Sequence, residues 1–383
     1  MSPFFIRDFH IRRPPISGSH AESVEWLAAA HTQSEGHINP ENFDPVAFHH
    51  SMKRFITRFG CSAENMAFRG FEIDDFLSQD WDRMRVFNLN ADVRGASMDI
   101  RMEVFSETSE KVLAGFYADV EEPPLDIVHV SCTGYVAPSA PQKLVLNRSW
   151  EKQTGVMHAY HMGCYASMPA LRIATGLLET QTKTHSKQVD IVHTEMCSLH
   201  LNPSLHSPEQ LVVQSLFGDG HIKYSVSKST NESKEGFLWM GTREELIPGS
   251  LGTMAWSLGS NGMRMMLARD VPERISAALG DFLKRLYADV KVDEKEAFTQ
   301  GIFAIHPGGP RIIDKIATLL NLTAPQVAAS RAALKAYGNM SSATLPHVWA
   351  TILKDESVVP GTLITSLAFG PGLTMYGTLL RKI

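Results

Sequence analysis

Three polar residues carry types and positions that could do chemistry. Cys164, in HMGCYASMPALRIATGLL (residues 161–178), follows a glycine and heads an apolar segment with helical spacing. His306 ends an apolar run in FAIHPGGPRIID, and Asn339 heads another helical segment in AYGNMSSA. Strand ends and helix starts are where α/β folds build their sites. A protonated cysteine, with a reference pKa of about 8.5, is a poor nucleophile, but a helix N-terminus and an imidazolium lower that value by several units. His306 is the expected imidazolium. Asn339 would add an uncharged donor for a thioester oxygen that gains negative charge. A cysteine among small residues also suits a buried core position, so residue types alone leave Cys164 as nucleophile or core. Pro169 sets a condition: it kinks a helix begun at Cys164, or the helix starts with Ser167 as N-cap and Pro169 in its first turn.

These residues need elements to hold them. LDIVHVSCTG (125–134) and VDIVHTEMC (189–197) read as buried strands, β-branched apolar runs ending in small or polar residues, and the Cys164 segment between them makes a strand–helix–strand unit. HIKYSVSK reads as a strand, VPERISAALGDFLKRLYADV as a helix, GIFAIHPGG as a strand, GPRIIDKIATLLNL as a helix and GTLITSLAFGPG as the last strand. Residues 20–120 read as mostly helical and polar, with breaks at HINPENFDP and a basic segment in HHSMKRFITRFG. The polar break at 229–236 divides the chain into a half carrying the cysteine (1–230) and a half carrying the histidine and asparagine (231–383). GCYASMPALRIATGLL also overlays GNMSSATLPHVWATIL, placing Cys164 on Asn339, Ser167 on Ser342 and Leu178 on Leu353. Alternating strands and helices in two similar halves predict an α/β architecture of layered sheets and helices.

Composition narrows the partners. A chain of 383 residues exceeds one minimal domain. Its 36 basic and 41 acidic residues give a net charge of −5, which offers no basic field for a phosphate backbone, so no nucleic-acid partner is expected. MSPFFIRDFHIRRPPISG lacks the continuous apolar core of a secretory signal, no run reaches membrane-spanning length, and LLRKI carries no lipidation signal. A soluble, cytoplasmic protein without membrane insertion is expected. Cys61, Cys132, Cys164 and Cys197 lack paired zinc spacings and are too sparse for a disulfide scaffold.

GCYASMPALRIA, SLFGDG, IHPGGPRIID, YGNMSSA and FGPGLT occur in the order and spacing of the chalcone synthase-like type III polyketide synthases, thiolase-superfamily condensing enzymes which the chain resembles from about residue 125 onward. The resemblance implies a thiolase-like, five-layered αβαβα fold with two pseudo-duplicated halves, a homodimer, and a Cys–His–Asn site at Cys164, His306 and Asn339. In such enzymes the cysteine takes an acyl group from a thioester of coenzyme A, the histidine and asparagine bind the malonyl carbonyl, and decarboxylation yields an enolate that attacks the acyl-cysteine. Acyl-CoA and malonyl-CoA, or acyl carrier protein thioesters, are then the substrates, with no metal and no redox cofactor. Phe217 matches the gatekeeping phenylalanine between tunnel and reaction chamber. FGPGL matches the glycine loop shaping that chamber, with Ala368 where glycine is usual. Lys53, Arg54 and Arg58 lie where relatives meet the phosphates of coenzyme A, and Gly308 belongs with them.

Several chamber positions depart from the plant pattern. Met265 replaces a second gatekeeping phenylalanine, and Trp256 a small glycine. Cys197 and His200 stand for threonines, and Ser167 and Met168 for a glycine pair. Cys132 and Thr133 complete the expected substrate-binding set. The added indole predicts a shorter or redirected chamber, hence few extensions on one starter, or an acyl chain running by another tunnel.

Other readings of the same residues are weaker. His158, His161 and Cys164 are spaced by threes, and His193 and His200 flank Cys197, but a complete zinc set is missing. A papain-like protease would use Cys, His and Asn in this order, without the sequence found around this cysteine. The expected activity is decarboxylative condensation of an acyl thioester with malonyl-CoA to a pyrone, resorcinol or β-keto product. The alternatives are a ketosynthase that joins two preformed acyl chains and a non-catalytic acyl-binding subunit of a partner synthase.

Overall fold

A computed structural model describes residues 3–181, 186, 188–228 and 235–383. The first half runs β1 (Phe4–Arg12), β2 (Ile16–Ser19), α1 (His20–Ile38), α2 (Pro45–Phe59), β3 (Phe68–Phe71), α3 (Met98–Phe116), β4 (Asp126–Ser131), α4 (Ala140–Asn147), β5 (Gly155–Tyr160), α5 (Ser167–Thr180), β6 (Gln188–Met196), α6 (Pro208–Leu216) and β7 (Asp219–Ser227). The second half runs β8 (Phe237–Leu246), β9 (Met254–Gly259), β10 (Gly262–Leu267), α7 (Val271–Val290), α8 (Glu294–Gln300), β11 (Ile302–Ile305), α9 (Pro310–Leu319), α10 (Ala328–Tyr337), α11 (Thr344–Lys354), β12 (Leu363–Gly370) and β13 (Thr374–Lys382). Most of the break expected at 229–236, residues 229–234 with the 230/231 division, lies outside the described residues.

Among the described residues the main sheet has nine strands in the order β11-β12-β13-β8-β1-β7-β6-β4-β5. β4 pairs in parallel with both β5 and β6, and β11 in parallel with β12; the remaining pairs are antiparallel. The two halves join where Phe4, Phe5 and Ile6 of β1 pair with Trp239, Leu238 and Phe237 of β8.

Side-chain alternation along these strands builds the layers. Val128 and Val130 of β4 face one core and Ile127 another; Ala304 of β11 and Ile364 and Ala368 of β12 face that first core, while Phe303, Ile305, Leu363 and Leu367 face the opposite way. Successive residues of a strand point to opposite faces. The shared core contains α5 and α11, through Leu171, Ala174 and Leu178 and through Leu345, Val348, Trp349 and Ile352. α3 and α4 cover the outer face of the first half, and α7 and α9 that of the second. The two halves of the one nine-stranded sheet thus both pack on the helix pair, giving helix, sheet half, helix pair, sheet half, helix: the five-layered, thiolase-like arrangement. Each large side chain buried in the middle layer contributes about 1.5–3 kcal/mol, and the indole of Trp349 keeps its hydrogen bond by donating to Ser366 Oγ at 2.9 Å.

The internal echo has a backbone counterpart. Gly163 and Gly338, the glycines ahead of Cys164 and Asn339, both hold positive φ, +85° and +71°, where a side chain is strained. Each opens the turn leading into a central helix. The cysteine turn closes through Ala166 N–H to Gly163 O at 3.1 Å, and α5 begins at Ser167 with Ala166 as its cap residue. Pro169 therefore lies in the first turn, where a missing N–H costs no intrahelical bond. Ser167 is not the N-cap, and Cys164 stands in the turn before the helix.

Other expectations are corrected. The strand–helix–strand unit contains a further helix and strand, α4 and β5, and β12 is followed by β13. Residues 60–97 are mostly irregular, with one short strand and one turn of 3₁₀ helix, because Asp75 collects the backbone N–H groups of Arg85, Val86 and Phe87 and ties the loop without regular structure.

Candidate active site

Four of the chemistry-bearing residues lie just beyond the carboxyl ends of strands that take part in parallel pairs. Cys132 follows β4, Cys164 follows β5 after a short turn, and Cys197 follows β6, three mutually parallel strands; His306 follows β11. This is where open α/β sheets leave a crevice. The second half reaches the cysteine turn through Pro371, just beyond β12: a Cβ on Gly163 would lie 2.6 Å from its Cδ. His306 is held beside that strand by its N–H to Leu367 O at 2.7 Å.

Cys164 lies in a narrow cavity of about 30 Å³ that it shares with Cys132, Ser341, Phe217, Trp256 and Met265. Burial pushes its thiol up to about 12, Ser341 and Asn339 side chains pull it back by hydrogen bonding, and the charge of Glu195 adds to the rise. Asn339 is 1% exposed. Its Oδ1 accepts from Ser341 N–H at 2.9 Å and Thr344 Oγ1 at 3.4 Å, which leaves the amide NH₂ to donate toward the thiol. Its backbone pairs with Leu216 and Gly218, bringing Phe217 alongside.

His306 is 2% exposed, and neither ring nitrogen has a hydrogen-bond partner among the described residues. Burial lowers its pKa to about 3, so the ring is neutral near pH 7. The imidazolium anticipated beside Cys164 is therefore absent, because a charged ring would be desolvated with no carboxylate to compensate it.

Phe217, Trp256 and Met265 also line a second cavity of about 230 Å³, with Cys197 and His200 on its wall. These three side chains stand between the Cys164 cavity and the larger chamber. Trp256 is fixed by its indole N–H to Cys132 O at 2.7 Å and packs edge-on against His200 at 5.7 Å between ring centroids. Thr133 serves the frame instead of facing either space: its hydroxyl donates to Glu195 Oε2 at 3.0 Å.

The expected phosphate-binding group is only partly available. Lys53 Nζ is paired with Glu25 at 2.5 Å, and that carboxylate also meets His49 at 3.0 Å. Arg54 and Arg58 are exposed on α2, with Arg58 over the Phe59 ring. Gly308 adjoins His306, 3.6 Å from a would-be Cβ to Cδ2. Among the described residues no three His, Cys, Asp or Glu side chains are placed to hold a metal ion, and no helix is long and apolar enough to cross a membrane.

Sequence reasoning missed the residue that organises this site. Glu195, fully buried in β6, accepts from Cys132 N–H at 3.0 Å, Thr133 Oγ1 at 3.0 Å, Ser342 N–H at 3.3 Å and, by a short bond, Ser342 Oγ. Burial raises its pKa and those four donors oppose the rise. A glutamate inside the apolar run VDIVHTEM was the available signal, since a buried charge needs such satisfaction. Arg69 and Asp219 were missed as well. Arg69 holds Phe217 O at 2.9 Å, and Asp219 holds Ser198 N–H at 2.8 Å and Ser198 Oγ at 2.6 Å, next to Cys197.

Sequence models of the chalcone and stilbene synthases match both halves, the N-terminal domain over residues 96–227 and the C-terminal domain over 240–383. The chain belongs to this family. It is 28% identical over 295 residues to type III polyketide synthase A of Arabidopsis thaliana, covering 75% of this chain and 73% of that one. It is 29% identical over 263 residues to type III polyketide synthase C of the same plant, covering 67% of each. Its fold superposes with a TM-score of 0.83 on PKS-I of the brown alga Ectocarpus siliculosus, at 20% identity over 100% of this chain and 99% of that one. The C-terminal type III polyketide synthase domain of Steely1, a type I/III hybrid from Dictyostelium, gives a TM-score of 0.82 at 22% identity over the same shares. The protein is thus an enzyme of the type III polyketide synthase class, which condenses acyl-CoA with malonyl-CoA to form polyketides.

Proposed function

We propose that Cys164 is the nucleophile and that His306 and Asn339 hold the malonyl thioester carbonyl. The observation that carries this reading is the unmet hydrogen-bonding capacity of His306: two ring nitrogens without partners in a side chain 2% exposed. Buried polar atoms are rarely left unpaired, and a substrate oxygen supplies the missing acceptor. Asn339, tied by Oδ1 and free at its NH₂, is the second donor. Both donors are neutral, so they stabilise negative charge as it forms on the oxygen without binding the ground-state carboxylate strongly.

In the reaction the Cys164 sulfur attacks the acyl carbonyl, the bond from that carbon to the coenzyme A sulfur breaks, and the Cys164 proton ends on the departing sulfur, leaving the acyl-cysteine and coenzyme A as its thiol. The malonyl C–CO₂ bond then breaks, carbon dioxide leaves, and the electron pair becomes an enolate whose oxygen is held by His306 and Asn339. The enolate carbon attacks the acyl carbonyl and displaces Cys164 as thiolate, giving a β-ketoacyl thioester. This chemistry needs no metal and no redox cofactor.

The starter is short or carries one ring. A cavity of 150 Å³ accepts a benzene molecule, and the chamber beyond Phe217 and Met265 holds about 230 Å³. Trp256 takes space that further extension would use, which supports few condensations per starter. Coenzyme A thioesters are the donors in this reading, with Arg54, Arg58 and Gly308 at the entrance and Lys53 available once Glu25 releases it; carrier-protein thioesters are the second possibility. The enzyme works in the cytoplasm as a homodimer of chains divided near residue 230. β5 supports the dimer: it is an edge strand next to the cysteine turn with Met157 and His158 exposed, and such an edge pairs readily with a second copy. Incubation with a radiolabelled acyl-CoA tests the nucleophile: Cys164→Ala loses the label, and label retained on another cysteine would remove the assignment.

A further inference from the structure

Cys132 has all three of its polar atoms engaged. Its N–H donates to Glu195 Oε2 at 3.0 Å, its carbonyl accepts from the Trp256 indole at 2.7 Å, and its Sγ accepts from Gly163 N–H at 3.0 Å. The next carbonyl, Thr133 O, accepts from His200 Nε2 at 2.8 Å, while His200 Nδ1 accepts from Met263 N–H at 3.1 Å. A ring nitrogen that takes a backbone N–H carries no proton, which assigns His200 as the neutral Nε2–H tautomer. Trp256 of β9, and His200, which follows β6 and is held by Met263 of β10, thus grip two consecutive peptides after β4 through two ring N–H groups. The backbone entering Cys164 is confined from both sides: Pro371 packs on Gly163, and the sulfur of Cys132 takes the Gly163 N–H.

We propose that Cys132 is a positioning residue for the Cys164 nucleophile and that Trp256, besides filling the chamber, sets Cys132 through its indole N–H. The route is Trp256 Nε1 to Cys132 O, then Cys132 Sγ to Gly163 N–H, then the peptide joining Gly163 to Cys164. The inference rests on Cys164 being the nucleophile. It gives Trp256 two separable effects: indole volume bounds the product, and indole N–H holds the geometry of acyl transfer. A misplacement of the attacking atom lowers the rate of the chemical step, so the loss belongs in the rate constant and not in substrate affinity.

The test is single-turnover loading of the full-length enzyme with a short acyl-CoA, followed by intact mass and peptide mapping, with a rate constant and half-saturating concentration for each variant. Cys132→Ala slows loading of Cys164 about tenfold, equivalent to about 1.4 kcal/mol, with half-saturation and melting temperature unchanged. Cys132→Ser, which keeps an acceptor, recovers most of the rate. Trp256→Phe, which keeps a ring and lacks the N–H, slows loading, and the double variant Cys132→Ala/Trp256→Phe is no slower than Cys132→Ala. Wild-type loading in Cys132→Ala, no recovery in Cys132→Ser, or a double variant that multiplies the two losses overturns the positioning role. If Cys132→Ala fails to fold, Trp256→Phe decides alone: loading at the wild-type rate overturns the proposal. Label found on Cys132 or Cys197 in the wild-type enzyme would instead overturn the nucleophile assignment itself.

Discussion

Lowering the pH from 7 to 5 should remove most of the folding stability of this enzyme, and buried histidines are the reason. His31, His129, His200 and His306 have pKa values lowered by burial to about 3, and His347 to about 4. Each is neutral in the fold and titrates near 6.5 once unfolded. A depressed histidine pKa means that the unfolded chain binds the proton first, so stability falls as the pH drops below 6.5 and goes on falling until the folded value is reached. At pH 5 each of the five costs about 2 kcal/mol, or about 10 kcal/mol together. Asp219 acts in the opposite direction. Burial raises it to about 7, so the fold takes up its proton before the unfolded chain does, which returns about 2 kcal/mol between pH 7 and pH 5. The net loss of about 8 kcal/mol matches the whole stability of an ordinary domain, about 5–15 kcal/mol. His193, lowered in the same direction, adds to it, and Glu195, raised by burial like Asp219, offsets it. Urea unfolding followed by tryptophan fluorescence at pH 7, 6 and 5 measures the effect. A change below about 2 kcal/mol across that range would refute the reasoning, because it would require these rings to be charged in the fold or reached by water.

Two further variants address the reaction. His306→Ala and Asn339→Ala should each slow carbon dioxide release from malonyl-CoA by about 10²–10³, the effect of removing one oxyanion donor, while Cys164 still accepts an acyl group; unchanged decarboxylation would take these residues out of the enolate site. Trp256→Gly should join the cavities of about 30 and 230 Å³ and lengthen the products seen by mass spectrometry across a starter panel. An unchanged profile would show that the indole does not bound the chain.

Which parts of the molecule were legible depended on how locally each was encoded. Helix α7 coincides with the segment VPERISAALGDFLKRLYADV because its apolar stripe, Val271, Ile275, Leu279, Phe282, Leu283 and Leu286, packs against one face and its first turn carries Pro272. β4, β6 and β12 were visible as continuous apolar runs, since a strand covered on both faces leaves no polar alternation. β1, β5, β8 and the β9–β10 hairpin were not. β1 reads FFIRDFHIR, with Arg7 buried among neighbours contributed by residues more than two hundred positions away. β5 is an edge strand whose exposed Met157 and His158 break the pattern. Cys164, His306 and Asn339 could be singled out as candidates because each sits beside a glycine or at a change of periodicity, marks that survive in one dimension. The frame around them was not, because its logic is electrostatic and long-range. Glu195 is satisfied by donors from 132–133 and from 342, and no local window contains all three. The missing imidazolium has the same origin: spacing can suggest a charged partner for a cysteine, but only the depth of burial decides that the His306 ring stays neutral, and it is as a neutral donor that the proposed mechanism uses it.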